Sequence, residues 1–402
     1  MELSDFGRDF LLLALRIGKH KENYVDYYIG PKNLQRKVET EVVKSPNNLL
    51  NDCKILQKNL FMQRFDKARE RYLEKMLLSM KTSIEILNGT NLPFKEQIYR
   101  LYDIVLEPVN ESELDELKED IIDAYSGSKG FEEKMVKLRK QRTIPKHKVF
   151  EFFKTAINIV RNRTQELFIN LLPKEEKVII KLIEEDKEDK AKWNYYERYQ
   201  GKFRSLIEVN PNYNMYWTTL LSSAAHEGYP GHHMEFTIKE QKLCFNLNQF
   251  EHLVLLLNSP KLIISEGIAD IAINMLYTYR EHAKIAIENF CLNPSKMDTI
   301  DLLTQQYEIR DKIHLFSYNL AYLSLVEKWS EKKLLNYATS FEIYSKETIK
   351  NLLLLTNDQV YASTLFSYTL GRNLLVNRYG GFPSLKNFQQ LLTNSTLPSD
   401  LV

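Results

Sequence analysis

Residues that break helices are scarce in this chain, and that scarcity constrains its fold more than any other feature. The 402 residues include only 13 glycines and 12 prolines, about half the share implied by averages of roughly 7% and 5%. Such a chain is not collagen-like, not a disordered linker and not a turn-rich all-β protein. It calls for long helices with few interruptions. Neither residue occurs from Asn47 to Asn88 or from Ser295 to Leu370. Both stretches carry Leu, Phe, Tyr and Met at three- and four-residue spacing, which reads as helix. Shorter helices are expected over residues 2–17, closed by Gly18, and 31–45, opened by Pro31. Ser112 stands where it could cap another. There is no fixed-period repeat of the solenoid kind.

Between Pro173 and Pro211 the pattern changes. Val178–Ile183 is short and β-branched, and Glu184–Lys192 is a mixed-charge run that reads as a solvated loop. From Phe203 to Val209 the residues alternate, with Phe203, Ser205, Ile207 and Val209 on one side, so a short strand is expected. Helix resumes from about Tyr213. The expected fold class is mainly α, a single domain over residues 1–402. It has a helical N-terminal part (1–172) and a C-terminal part (173–402) with a small sheet of two to four strands at about 176–210.

Composition excludes several functions. The 55 basic and 53 acidic residues leave a formal charge of +2, so no global field draws the chain to nucleic acid or an acidic membrane. Lys134–Lys148 holds seven Lys or Arg in fifteen residues; it reads as a solvated helix face after the acidic Glu113–Asp123 region, with no nucleic-acid motif beside it. No run approaches the length of a membrane span, and the N-terminus lacks the basic region of a signal peptide. The three cysteines, Cys53, Cys244 and Cys291, form no disulfide framework and suit a reducing cytoplasm. A cytoplasmic location is the expectation.

Three of the eight histidines fall within eight residues: His226, His232 and His233, in His-Glu-Gly-Tyr-Pro-Gly-His-His. Imidazole is the commonest metal ligand. A His-Glu pair followed closely by histidine is the layout of zinc hydrolases, where the glutamate is the general base. The strict H-E-x-x-H spacing fails, because Pro230 stands four residues after His226. On an unbroken helix His226 and His233 would lie about 10.5 Å apart along the axis, too far for one ion with bonds near 2 Å. Pro230 removes the helical bond to the His226 carbonyl, and Gly231 permits left-handed backbone angles. The break is expected to fold the chain back, so that a histidine just after it meets His226 at one ion. Leu262–Leu276 is apolar almost all round yet holds Glu266 and Asp270. A helix apolar on every face is buried, and buried carboxylates need partners. Four residues apart, the two acids share a face. Glu266 as metal ligand and Asp270 as acceptor from a ligand histidine would satisfy both.

The motif His226–His233, with Ser265-Glu266-Gly267 some thirty residues on, resembles the family catalogued as domain of unknown function 885. Its members carry H-E-x-x-P-G-H-H or H-E-x-x-P-G-H-Y followed by S-E-G, and are regarded as metal-dependent peptidases related to the gluzincins. Asp26-Tyr27-Tyr28-Ile29-Gly30-Pro31 resembles an early Tyr-Phe-Gly-Pro element of the family, and Tyr368-Thr369-Leu370-Gly371 a late Tyr-x-x-Gly helix, so the likeness spans most of the chain. It implies a helical metallopeptidase-like fold, with the sheet beside the metal-binding helix. Where family motifs end in His-Tyr, only the first of the paired histidines remains, which carries the ligand role to His232. His233 would then bind substrate or steady the neighbouring ligand. Tyr368 becomes a candidate transition-state donor and Arg372 a candidate clamp for a substrate carboxylate; a tyrosine ring in the core and a surface arginine are the plain alternatives. Tyr361 and His314 are reserves.

The reading that follows is a zinc metallopeptidase acting on short peptides, possessed of carboxypeptidase character if Arg372 reads a terminus. Zn2+ would sit on His226, His232 and Glu266, one ion per chain, with Glu227 as general base. Cobalt or manganese could replace zinc on such ligands. The strand Phe203–Val209 could pair, as an edge, with an extended peptide substrate. The same residues would serve a hydrolase of another amide or ester. A non-catalytic helical binding protein with a vestigial metal site is the remaining alternative, and the presence of Glu227 speaks against it. Oligomeric state has no signature in the sequence.

Overall fold

The computed structural model describes residues 3–125, 130–183, 194–356 and 359–402, without the side chains of 355, 356, 359–365, 367 and 368. The run Glu184–Lys192 and the side chains of Tyr361 and Tyr368 therefore lie outside the described residues. The fold is mainly α with two small sheets. Helices begin where short polar side chains can take the first free N–H groups. Ser4 caps Asp5–Gly18, Ser45 caps Pro46–Leu60 and Asp66 caps Lys67–Leu87. The helix expected at Ser112 is capped by Asn110 instead, whose side chain accepts from the Ser112 N–H at 3.1 Å.

The two long stretches free of glycine and proline are not continuous helices. The first breaks between Pro46–Leu60 and Lys67–Leu87, where Arg64 adopts φ 55°. The second is divided into Ile300–Lys312, His314–Leu325, Glu331–Ser340, Lys346–Thr356 and Gln359–Tyr379, with Lys328 and Glu342 at positive φ. A left-handed non-glycine residue costs roughly 1–2 kcal/mol, which packing of the flanking helices offsets. At Lys328 the turn also satisfies a carbonyl, since the Trp329 N–H donates to Leu323 at 3.0 Å. The apolar period continues across such a break, and so hides it.

Five strands are present among the described residues: β1 (Val25–Tyr28), β2 (Lys177–Leu182), β3 (Tyr195–Gly201), β4 (Arg204–Val209) and β5 (Val254–Leu256). β1 and β5 form an antiparallel pair. The other three form a sheet in the order β2–β4–β3, with β4 parallel to β2 and antiparallel to β3. The expected alternation holds in β4, where Ser205, Ile207 and Val209 point inward and are buried. Its expected place as an edge does not hold. β4 is the central strand and β3 the edge, because Lys202 and Phe203, both at positive φ, turn the chain into a hairpin. That hairpin is pinned by Glu240, which accepts from the N–H groups of Lys202 and Phe203, each at 2.9 Å, and from the Tyr199 hydroxyl at 2.6 Å.

Helix resumes at Trp217, runs to Glu227, and restarts over His232–Lys239. The helix Pro260–Leu276 is buried along nearly its whole length and shares a core with Trp217–Glu227 and with Val149–Leu167. The run Lys134–Lys148, expected as a solvated helix face, exposes Lys137, Arg139, Lys140 and Lys146, while Arg142, at the end of the helix Phe131–Arg142, is buried and paired with Asp298 and Gln306 at 2.8 Å each. Among the described residues no helix is long and apolar enough to cross a membrane.

Candidate metal centre

The helix carrying His226 ends one residue later, and the chain turns through Gly228, Tyr229, Pro230 and Gly231 before the next helix starts at His232. The Tyr229–Pro230 peptide is cis. Gly231 is required for a reason other than the one its sequence position suggests. Its φ is −76°, not left-handed. A Cβ there would instead run into the carbonyl oxygens of His226 and Ala225, onto which the turn is folded. The Gly231 N–H donates to Ala225 at 3.0 Å and closes the turn. The imidazoles of His226 and His232 consequently meet edge to face, their centroids 4.8 Å apart.

Glu266 completes the cluster. Ligand atoms of His226, His232 and Glu266 all lie within 4.8 Å of one another. The Nε2 atoms of His226 and His232 stand 3.7 and 3.8 Å from the same Glu266 oxygen, Oε2, which is buried and has no hydrogen-bond partner among the described residues. Ligands of a tetrahedral zinc ion with bonds of about 2.0–2.1 Å are separated by roughly 3.3 Å, so closing the cluster by at most about 1.5 Å would bring its three ligand atoms onto one ion. The far side of each ring is already engaged. His226 Nδ1 lies 3.1 Å from Asp270 Oδ1, as the four-residue spacing of Glu266 and Asp270 suggests. His232 Nδ1 lies 3.2 Å from the Ser265 hydroxyl, which donates to Glu235 Oε2 at 2.6 Å; Glu235 in turn is bound by Lys239 at 2.6 Å. Each histidine is thus held with Nε2 free and aimed at Glu266, the usual support for metal ligands.

The electrostatics match this geometry. Burial, reinforced by the charges of Asp270 and Glu227 and opposed by His226, pushes the Glu266 carboxyl up to about 8. Burial disfavours the His226 cation, yet the hydrogen bond it donates to Asp270 and the charges of Glu227, Asp270 and Glu266 outweigh it and raise the imidazole to about 10. Burial also raises Glu227, against the pull of His226 and of a backbone hydrogen bond. Three carboxylates converging on two imidazoles in a buried place are an environment short of positive charge, and the donor set of two imidazoles and a carboxylate is that of a zinc site.

Glu227 follows His226 and accepts the Glu197 N–H of β3 at 3.0 Å through Oε2. The bond fixes the carboxylate against the edge strand. A cleft of about 320 Å³ opens over this point, lined among others by His226, Glu227, Asp270, Arg310, His314 and Arg372. Six of the sequence candidates therefore meet in one place: His226, Glu227, His232, Glu266, Asp270 and Arg372. His314, a reserve, joins them.

Two expectations are corrected. His233 does not face substrate. It is fully buried, with Nδ1 2.6 Å from the Ser205 hydroxyl and Nε2 3.0 Å from Glu176 Oε2. One residue along a helix turns a side chain by about 100°, which sends His233 to the sheet and His232 to Glu266. Arg372 reaches the cleft but is not a free clamp: Nη2 donates to Asp311 Oδ2 at 2.6 Å and Nη1 to the Asp270 carbonyl at 3.2 Å.

Residues that sequence reading missed are Glu197, Glu235, Lys239, Arg310, Asp311 and Glu176. Only Glu235 and Lys239 left a signal, an opposite-charge pair four apart just after the histidine cluster. Glu176 holds the reverse of the turn. Besides His233 it accepts from the Tyr229 hydroxyl and from Arg161.

No protein-family model matches the chain, and no curated protein matches it. Among solved structures, one described as "the putative lipoprotein from Colwellia psychrerythraea" is similar with a TM-score of 0.48 and 15% identity, over 92% of this chain and 60% of that one. The chain thus spans about three fifths of that protein's length.

Proposed function

We propose that this chain is a metal-dependent hydrolase of peptide bonds, in which His226, His232 and Glu266 hold zinc and Glu227 is the general base. One observation carries the reading: two imidazole Nε2 atoms face the same Glu266 oxygen at 3.7 and 3.8 Å, and that oxygen has no hydrogen-bond partner among the described residues, while both Nδ1 atoms are already engaged. A structural zinc site normally fills all four positions with protein ligands; three ligands beside an open cleft are the pattern of a catalytic one. The resemblance of the motif to domain of unknown function 885 supports the same reading.

Bound zinc supplies Lewis-acid activation of water and of the scissile carbonyl. The protein's own part falls to named residues. Glu227, held by the Glu197 N–H, takes the proton of the attacking water and returns it to the leaving amine. Asp270 and Ser265 keep the two histidines in the tautomer that leaves Nε2 unprotonated. β3, which pairs only with β4 among the described strands, offers backbone groups beside Glu227 to an extended peptide. This role belongs to β3 and not to the central β4.

The test joins metal analysis to a peptide-library digest read by mass spectrometry. Purified protein should hold about one zinc per chain and cleave peptides. Glu227→Gln should keep the zinc and lose cleavage. Metal content unchanged in His226→Ala would remove the basis of the proposal.

A further inference from the structure

The cleft over the metal centre carries two arginines, and they differ in how far they are neutralised. Arg372 is committed to Asp311, whose Oδ2 also accepts from the Tyr279 hydroxyl at 2.8 Å. Arg310 is left the weaker share of that aspartate, with Nε 3.7 Å from Oδ1. Its Nη1 donates to the neutral Ser222 hydroxyl at 3.1 Å. Among the described residues Nη2 has no hydrogen-bond partner. The guanidinium rests over the Tyr307 ring at 4.9 Å, and its side chain is 29% exposed, open to the cleft that also holds His226 and Glu227.

We infer that Arg310 grips the terminal carboxylate of the substrate, so that the cleft acts on peptides with a free C-terminus. The inference rests on the peptidase reading and deepens it. A guanidinium fork pairs with a carboxylate through two parallel hydrogen bonds, and stacking on an aromatic ring holds the fork in place without neutralising it. The other acids of the cleft are engaged elsewhere and leave Arg310 its charge: Asp270 faces His226, and Glu227 accepts the Glu197 N–H. Position agrees as well. Ser222, which Arg310 touches, precedes His226 by four residues on the same helix, about 6 Å along its axis. An extended peptide advances roughly 3.3–3.6 Å per residue. Arg310 thus stands about one helical turn from His226 in the shared cleft, a spacing that suits the release of short C-terminal pieces.

The experiment compares peptides bearing a free C-terminal acid with the same peptides bearing an amide, using the zinc-loaded full chain. Hydrogen bonds to charged groups contribute enough for roughly a 10- to 100-fold difference. We expect kcat/KM to fall by that factor on the amides, with short C-terminal pieces removed from the acids. Arg310→Met should lower kcat/KM on the acids to the amide level and keep the zinc, and Arg310→Lys should recover part of the loss. The comparison of acids with amides on the unsubstituted chain needs no variant to fold. Equal rates on acids and amides would overturn the role of Arg310 and leave the peptidase reading standing. Absence of cleavage of every peptide would overturn both.

Discussion

Gly267 and Gly371 bring two helices into backbone contact beside the candidate metal centre. A Cβ on Gly267 would lie 2.6 Å from the Gly371 carbonyl oxygen, and one on Gly371 would press into the Ile263 carbonyl. The glycine after Ser265-Glu266 and the glycine of Tyr368-Thr369-Leu370-Gly371 are therefore two halves of one crossing, between Pro260–Leu276 and Gln359–Tyr379. Glu266 sits next to that crossing. Gly371→Ala should separate the helices, costing about 1–3 kcal/mol as overpacking does, and should weaken zinc binding through Glu266. Thermal melts and zinc titration on the same preparation check both effects.

The two adjacent histidines should respond differently. His232→Ala is expected to abolish stoichiometric zinc, because it removes one of the three proposed ligands. His233→Ala should retain zinc and lose stability, since it deletes the buried contacts of the imidazole with the Ser205 hydroxyl and with Glu176, at roughly 1–3 kcal/mol. Zinc content after dialysis, measured with the midpoint of denaturant unfolding, separates the two.

Ser265 links His232 to the buried Glu235–Lys239 pair. Ser265→Ala should reduce zinc affinity about 10- to 100-fold, the usual effect of removing such a support, and leave the pair in place. Glu235→Gln should act mainly on stability, because it leaves Lys239 charged and buried without its partner, at about 3–5 kcal/mol. Competition with a chelator of known affinity reads the first effect, and denaturant unfolding the second.

Acid should loosen the reverse side of the turn. Burial opposes the Glu176 carboxylate, but hydrogen bonds from His233, Tyr229 and Arg161 outweigh it and hold the group at about 2, against an ordinary 4.5. The folded value lies below the unfolded one, so the stabilisation is fully present above 4.5 and is lost as the pH falls towards 2. Its size is on the order of 3 kcal/mol. Glu176→Gln should be less stable at neutral pH and show a flatter loss of stability between pH 4.5 and 2. Urea unfolding across that range checks it.

The helical class and the metal-ligating residue types could be read from the chain alone, because periodicity and local spacing act over a few residues. Scarce glycine and proline marked the helices and also the turn Gly228–Gly231 between two histidines. Glu266 and Asp270 stood out as acids on an apolar helix, and a four-residue spacing puts them on one face in any fold. The breaks at Arg64, Lys328 and Glu342 left no such mark, since a left-handed turn needs no particular residue once packing supports it. Tertiary structure alone decided the rest. It turned His232 and not His233 towards Glu266, which local spacing left open and only the family resemblance favoured, made β3 and not β4 the edge beside Glu227, and gave Asp311 to Arg372 while leaving Arg310 open to the cleft. Each of these depends on which groups distant in the chain come within bonding distance, and no local spacing encodes that.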